Sequence, residues 1–481
     1  MVTAVETNLD VSRTAQPDGG AGLRRSGSDH AAGFRRTIGL FSATAINMTQ
    51  MCGIGPFITI PLMVAAMGGP QAVIGWIAGA ILAVADGMVW AELGAAMPGS
   101  GGSYVYLREA FQYRTGKLMP FLFIWTVLLA IPLTMSTGII GMVEYLQFFF
   151  PQFSWLTAHL IGVVATGLVV LLLYRRIESI RSITVALWIV MLVSVVGVSA
   201  AGFSDFHADL AFTYPADAFD SRFFVGLGAG LIIGIYDYLG YFTTAYMGDE
   251  LRDPGRTMPR SIVISVIAMM FIYLVLNISV LGVVPWHQIA ESKSVASLVV
   301  EHSWGHAAAS VMTVLIVVTA FASVFAGLLG GSRVPYQAAH EKVFLSVFGR
   351  LHARHDFPHV ALLTMGVVTA IGTFFDLSEV INMLLTASII VQSVAQIAAL
   401  VVLRKRQPGL ERPYRQWLYP VPCAVALLGW TYVYFSASTM SVILSGAWIL
   451  AGLVVFVVWA RHNKAWPFAP VEVREAYLGN S

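Results

Sequence analysis

The sequence predicts an all-α membrane protein that crosses the bilayer many times. Of its 481 residues, 57% are hydrophobic and only 11% are charged, and its mean hydropathy is +0.75. Soluble chains carry about 25% charged residues, so a chain this apolar is poorly suited to an aqueous surface. Repeated apolar runs of about 20 residues are typical of transmembrane helices.

Twelve apolar runs are candidate membrane spans, which we number 1 to 12 from the N-terminus. Residues 1–36 are polar and lack the hydrophobic core of a signal peptide, so they are predicted to form a disordered cytoplasmic tail. Residues 463–481 are predicted to be a second cytoplasmic tail. The predicted spans are 38–66, 71–94, 118–147, 156–174, 182–203, 222–247, 260–284, 307–331, 359–376, 378–403, 417–437 and 440–461.

The distribution of basic residues supports this topology. If the N-terminus is inside, all of the 28 lysines and arginines except Arg222 and Lys293 fall on segments predicted to face the cytoplasm. Basic residues favour that side of a membrane. We therefore predict twelve spans in the plasma (inner) membrane with both termini cytoplasmic. Because orientation accounts for the basic residues, the net charge of +2 gives no indication of nucleic-acid binding.

Two spans contain signals that interrupt a helix. The stretch MCGIGPFITIP, residues 51–61, places two glycines and two prolines in the middle of span 1. In span 6, Gly234 and Gly240 bracket the stretch IYDYL, which contains Asp237 near mid-membrane depth. The interruptions lie at matching depth in spans of opposite direction. We therefore predict broken helices 1 and 6 in an inverted repeat of spans 1–5 and 6–10.

This arrangement divides the chain into a transporter core and two additional C-terminal helices. The core comprises residues 37–403, with repeats at 37–203 and 222–403, and residues 404–462 add helices 11 and 12. Unwound backbone at membrane depth is tolerated where it lines a cavity, and paired interruptions indicate a transporter's central site. Either interruption alone is equally compatible with a simple kink or close helix packing.

Three stretches resemble the amino acid–polyamine–organocation permeases. They are residues 53–111, which begin GIGPFITIP, residues 238–262, and residues 332–344. Within the second, Glu250, Asp253-Pro254 and Pro259-Arg260 match the family's acidic-x-x-Asn/Asp-Pro…Pro-Arg signature. The resemblance implies the five-plus-five inverted-repeat fold and secondary active transport of amino acids or amines by alternating access.

The resemblance also implies the backbone groups that bind the substrate. The amides of Gly53, Ile54 and Gly55 would bind a carboxylate at the start of the second half of span 1. The ammonium group would be bound by carbonyls near three residues of span 6, which are Tyr236, Asp237 and Tyr238.

Aromatic side chains after the break in span 6 have two interpretations. Members of the family often place an aromatic gate at the position of Tyr241. Tyr238 and Tyr241 are equally compatible with simple packing roles.

Asp86 lies well inside the apolar run of span 2, where a carboxylate is energetically costly. The surrounding stretch ADGMVWAEL resembles a pattern of polyamine permeases. Three interpretations stay open. Asp86 and Asp237 coordinate a polycation, one of them carries a proton, or Asp86 caps a helix end or pairs with a loop arginine.

The coupling ion is less evident from the sequence. Span 5 lacks the lysine that replaces a sodium ion in proton-coupled amino acid members of the family. Ser323 in span 8 is a candidate hydroxyl for a sodium site, or a packing residue. The polyamine-like features favour proton coupling, and exchange without an ion is the alternative.

We therefore predict a transporter of amino acids, with polyamines or other organic amines as the alternative substrates. The expected partners are the substrate, a proton or sodium ion, and the lipid bilayer. No enzymatic activity, cofactor or metal site is predicted; His302 and His306 have a ligand-like spacing but no further ligand nearby. A channel is a less favoured class, and so is a membrane sensor, which would need a signalling domain.

Overall fold

The computed structural model describes residues 36–98, 102–174, 180–352 and 357–468. In these residues the secondary structure is helical, and the strand-like pairing is one isolated parallel bridge between Ile38 and Leu251. The prediction of an all-α protein is confirmed. Both predicted tails lie wholly or mostly outside the described residues.

The helices follow the predicted spans in order. Span 1 comprises Leu40–Met51 and Gly55–Met67, span 2 Val73–Ala96, span 3 Leu118–Leu146, span 4 Trp155–Leu173, span 5 Ile180–Ser204, and span 6 Phe223–Tyr238 with a 3₁₀ segment at Thr243–Glu250. Span 7 is Pro254–Leu281, span 8 His306–Gly331, span 9 His359–Gly372, span 11 Val421–Ser436 and span 12 Thr439–His462. Span 10 joins Leu377–Ser388 to Ala395–Arg406 through a π-helical segment, Ile389–Val394. Shorter helices connect the spans at Pro70–Ala72, Ser103–Thr115, Ala208–Phe212, Trp286–Glu291, Val295–Trp304, Arg333–His340 and Ser346–Gly349.

Length and composition show that the protein is a polytopic membrane protein. In the described part of the chain, 8 helices are long and apolar enough to cross a membrane, or 9 if the two halves of span 1 form one bent span. Three shorter apolar helices, Ile189–Ser204, His359–Gly372 and Val421–Ser436, lie at predicted spans 5, 9 and 11. Ile189–Ser204 is the later part of the longer span 5 helix, Ile180–Ser204. The total of twelve spans stays a prediction, because the helices of spans 9 and 11 are shorter than a full crossing needs.

Span 1 is interrupted at the predicted position. Its two helical halves are inclined by 56° and are separated by Cys52, Gly53 and Ile54. The amide of Phe57 bonds to the carbonyl of Ile54 at 3.0 Å and closes the first turn of the second half. Pro56 lies in this first turn, where its missing N–H removes no helical hydrogen bond.

Span 6 is interrupted later than the sequence predicts. The helix continues through Gly234 and ends at Tyr238, and the chain then turns at Gly240, which has a φ of +114°. A Cβ atom at position 234 would lie 2.9 Å from the carbonyl oxygen of Gly75 in span 2. Gly234 therefore permits close packing of spans 2 and 6, and its predicted role as one edge of the break is wrong.

The first half of span 1 is joined to the segment that follows the break in span 6. The amide of Ile38 donates to the carbonyl of Glu250 at 3.0 Å, and the amide of Arg252 donates to the carbonyl of Ile38 at 2.9 Å. Further along, Asn47 donates from Nδ2 to Thr244 Oγ1 at 3.3 Å and accepts from the Thr244 amide at 3.0 Å. Pairing at two levels makes these elements one packed unit.

A buried ion pair connects spans 2 and 10. Glu92 is fully buried and accepts two hydrogen bonds from Arg404, from Nε at 2.7 Å and from Nη2 at 2.5 Å. The amide of Gln416 donates to the same carboxylate at 2.9 Å, and Arg412 Nε lies 3.8 Å from it. Burial, with the nearby charge of Glu92, raises the pKa of Tyr414 to about 12. The cluster thus fixes the loop before span 11 against the end of span 2.

Candidate functional site

The break in span 1 interrupts the helical hydrogen bonding of three backbone amides. In the described structure, the amides of Gly53, Ile54 and Gly55 form no hydrogen bond. They stand at the start of the second helical half, where orphan N–H groups and the helix dipole create partial positive charge. Unbonded amides at the start of a helix can bind an anion; carboxylate binding by these three residues stays a prediction.

The carboxyl group of Asp237 faces this break. Its side chain is buried, and Oδ2 lies 2.6 Å from the hydroxyl of Thr59. Oδ1 has no hydrogen-bond partner among the described residues. A Cβ atom at Gly55 would lie 2.6 Å from Oδ1, so the unpartnered oxygen is directed at the start of the second half of span 1.

Tyr273 of span 7 joins the interrupted spans to each other. Its hydroxyl lies 2.8 Å from the carbonyl oxygen of Met51 and 2.9 Å from that of Asp237. Met51 ends the first half of span 1, and Asp237 is the penultimate residue of the helix in span 6. One buried hydroxyl therefore holds the two breaks beside each other.

The carbonyls expected to bind an ammonium group are already partly engaged. Tyr236 accepts from the amide of Leu239 at 3.1 Å, and Tyr238 accepts from the amide of Tyr241 at 3.3 Å. The carbonyl of Asp237 lies within hydrogen-bond distance of the Tyr273 hydroxyl, as described. A carbonyl oxygen has two lone pairs, so each of the three retains one for a ligand.

The tyrosine side chains of span 6 point in different directions. The hydroxyl of Tyr236 pairs with Thr137 of span 3 at 2.6 Å, and its ring lies beside Gly55 at the break. The hydroxyl of Tyr238 instead donates to the carbonyl of Trp76 in span 2 at 3.1 Å. Tyr236 therefore belongs to the candidate site by position, whereas the side chain of Tyr238 packs against span 2.

Asp86 lies in a separate polar cluster with Tyr241. Tyr241 donates to Asp86 Oδ2 at 2.5 Å, Trp90 to Oδ2 at 3.0 Å, and Trp430 of span 11 to Oδ1 at 3.0 Å. All three donors are neutral, and Asp86 lies in mid-helix. The interpretation that it caps a helix end or pairs with a loop arginine is therefore wrong.

Ser323 lies beside the break in span 1. A Cβ atom at Gly53 would be 3.6 Å from its Oγ. The side chain is half-buried and forms no hydrogen bond within the part of the chain that is described. Its hydroxyl is thus available to a ligand at this position.

Several contacts of the site escape sequence analysis. Thr59 follows Gly55 by one helical turn and shares its face, so the sequence carries a weak signal for it. Thr137, Tyr273 and Trp430 meet partners 99, 36 and 344 residues away, respectively. Hydropathy and local motifs do not predict hydrogen bonds between residues so far apart in the sequence.

A many-span helical membrane protein with two interrupted spans that meet at buried polar groups has the architecture of a permease. The chain belongs to the amino acid permease family, because the sequence model of that family matches residues 38–469.

This chain is similar to individual members of the family over most of their length. The branched-chain amino acid permease BcaP of Bacillus subtilis (strain 168) is 23% identical over 457 residues, covering 89% of this chain and 94% of the relative. The human (Homo sapiens) Asc-type amino acid transporter 1 is 27% identical over 460 residues, covering 91% and 85% respectively. The large neutral amino acids transporter small subunit 2 of Mus musculus is 26% identical over 480 residues, covering 95% and 86%.

Proposed function

We propose that this protein is a secondary active transporter of amino acids that works by alternating access in the plasma membrane, with both termini cytoplasmic. The observation that carries the proposal is the set of three unbonded amides at the break of span 1, opposite a buried carboxyl oxygen without a partner. The relatives named for branched-chain and large neutral amino acids favour an amino acid as the substrate.

The proposed site matches the two charges of an amino acid. The α-carboxylate binds the amides of Gly53, Ile54 and Gly55, where the helix dipole favours negative charge. The α-ammonium group binds on the side of span 6, where Asp237 Oδ1 and the remaining carbonyl lone pairs are acceptors. Tyr236 forms the aromatic wall next to Gly55.

Hydrogen-bond requirements support Asp237 as a proton carrier. The single hydroxyl hydrogen of Thr59 has two nearby acceptors, the carbonyl of Gly55 at 2.9 Å and Asp237 Oδ2 at 2.6 Å. If Asp237 is protonated, its Oδ2–H donates to Thr59 and Thr59 donates to Gly55, so both contacts are satisfied. Loss of the proton leaves Thr59 with two acceptors for one hydrogen. We therefore propose proton coupling through Asp237.

Transport of an organic amine is the second candidate function. A buried carboxyl oxygen without a partner favours a cationic ligand, because an amine would supply both the charge and the donors that Asp237 Oδ1 lacks. Asp86 is a weaker amine site, since three donors already occupy its two oxygens. Ser323 supports sodium coupling less strongly, because one hydroxyl supplies a single ligand.

Uptake into liposomes tests the proposal. Purified protein is reconstituted, and radiolabelled leucine, serine and spermidine are offered with and without an inward proton gradient. We expect saturable amino acid uptake that the gradient stimulates. Saturable spermidine uptake alone would support the amine candidate. Uptake that rises linearly with concentration would indicate a channel, and saturable uptake of neither class would contradict both candidates.

A further inference from the structure

An apolar groove of about 370 Å³ lies between spans 2, 7 and 11. Ala80, Val84 and Ala85 of span 2 line it, with Ile267 of span 7 and Val425 of span 11. Every residue that lines the groove is apolar, and none belongs to the candidate substrate site. Ile267 and Val425 have 41% and 38% of their surface exposed, so the groove opens on the outside of the helix bundle.

We expect lipid hydrocarbon around this groove, because it opens on the outside of the helix bundle of a membrane protein. Helices in a membrane are surrounded by lipid chains, and a recess left empty loses dispersion contacts on one side. The small side chains of Ala80 and Ala85 create the recess in span 2, while the larger side chains on spans 7 and 11 form its rims. A flexible acyl chain has the shape and polarity to fill it.

Two basic segments lie near one end of the groove. The groove reaches Val421, the first residue of span 11, and the chain before it carries basic residues at the end of span 10 and in the loop 407–416. Gly255, at the start of span 7, packs directly against Pro413 of that loop. This contact brings the start of span 7, which includes Arg260, next to the loop that carries Arg415.

Both arginines are available to a ligand. Arg260 and Arg415 are exposed, and in the described structure neither forms an ion pair. Arg260 precedes Ile267 by two helical turns and so lies on the same face of span 7, below the rim of the groove. The lining of the apolar recess thus begins six residues after Arg415 in the chain, at Val421, and two helical turns after Arg260, at Ile267.

We propose that this groove binds a phospholipid with an anionic headgroup. One acyl chain lies in the recess, and Arg260 and Arg415 bind the headgroup phosphate. Basic residues at a membrane surface favour anionic lipids by about fivefold each. The occupant is a membrane lipid rather than a protein segment, because the groove faces the bilayer and its only charged end lies at the membrane surface.

The bound lipid stabilises the contact between spans 2 and 11. Asp86 adjoins Ala85 in span 2, and Trp430 of span 11 donates to it at 3.0 Å. A chain in the groove packs against this junction from the lipid side. The headgroup simultaneously connects the start of span 7 to the loop before span 11.

Photolabelling of the full-length protein in lipid nanodiscs tests the proposal. Phosphatidylglycerol and phosphatidylcholine, each with a diazirine in one acyl chain, are compared at equal mole fraction, and labelled peptides are mapped by mass spectrometry. We expect phosphatidylglycerol to label the groove peptides more strongly. Arg260→Gln and Arg415→Gln should each lower that labelling by about fivefold, whereas Arg350→Gln, an exposed arginine elsewhere, should leave it unchanged.

A second pair of variants tests the recess itself. Val425→Trp fills the groove and should abolish its labelling, whereas Leu428→Trp, one turn along the same helix and outside the lining, should not. Val84→Phe replaces Val425→Trp if the latter does not fold. Equal labelling by the two lipids, no effect of the arginine variants, or groove labelling that persists after filling would each overturn the proposal.

Discussion

The hydroxyl of Thr59 lies 2.6 Å from Oδ2 of Asp237, across the space between the two interrupted spans. The same hydroxyl lies 2.9 Å from the carbonyl of Gly55. This short chain of polar atoms connects a titratable group of span 6 to the first turn after the break in span 1. A change in the protonation of Asp237 would therefore alter the hydrogen bond between Thr59 and Gly55, where the substrate carboxylate is proposed to bind.

Asp237→Asn should abolish the stimulation of uptake by a proton gradient and retain exchange of internal for external substrate. An amide can hydrogen-bond to Thr59 but cannot release a proton in the physiological range. The measurement is uptake into liposomes with and without an inward gradient, beside an exchange assay on the same preparation. Asp220→Asn, in the segment before span 6, is the matched control. Gradient-stimulated uptake by Asp237→Asn at the wild-type level would refute the proton-carrier role.

Gly55→Ala should weaken substrate binding by about fivefold or more, and Gly53→Ala should be tolerated. The added methyl group at position 55 meets Asp237 Oδ1 at 2.6 Å, and overpacking of this kind costs ~1–3 kcal/mol. At position 53 the same methyl meets Ser323 Oγ at an ordinary 3.6 Å. Ligand-induced shifts in thermal stability measure the affinity of both variants. Equal behaviour of the two would contradict the proposed location of the site.

Asp86→Asn should lower thermal stability and leave transport per folded molecule largely intact. The substitution replaces one carboxyl oxygen with an NH2 group, so either Trp430 or the pair of Trp90 and Tyr241 loses its acceptor, at a cost of ~0.5–3 kcal/mol for each hydrogen bond. Trp430→Phe, which removes one donor, should cost less. Unfolding followed by intrinsic fluorescence provides the comparison. If Asp86→Asn instead keeps its stability and loses gradient-driven uptake, Asp86 is a transport group.

Glu92→Gln should destabilise the protein by ~3–5 kcal/mol, because breaking a buried ion pair leaves the charge of Arg404 without its partner. The exposed pair of Glu109 and Arg108, with 31% and 39% of the side chains accessible, is the matched comparison. Glu109→Gln should cost less than ~1 kcal/mol. Thermal unfolding of both variants in the same detergent checks the difference. Similar midpoints for the two variants would show that the cluster around Glu92 is not a stabilising contact.

The positions of the helices follow from the sequence because burial in lipid requires long apolar runs. The break in span 1 is equally evident, since Gly53, Gly55 and Pro56 together disfavour a continuous helix. The break in span 6 is harder to locate from the sequence, because a glycine can either end a helix or allow close packing of two helices. Gly240 adopts a positive φ and ends the helix, whereas Gly234 allows span 2 to approach.

The polar contacts of the site are harder to predict. Asp86 and Asp237 are both buried acids in apolar runs, and local sequence does not distinguish their surroundings. Their difference comes from distant residues, since Trp430 satisfies Asp86 while Asp237 Oδ1 has no partner in the described structure. Such pairings depend on which helices become neighbours, and hydropathy carries no information about that.

The pairing of Ile38 with Glu250 and Arg252 has a mechanical consequence. It connects the beginning of span 1 to the chain that follows the turn at Gly240, although the predicted inverted repeat assigns these elements to opposite halves of the core. A tilt of either element carries the other with it, so the alternating access that we propose would move the two elements together.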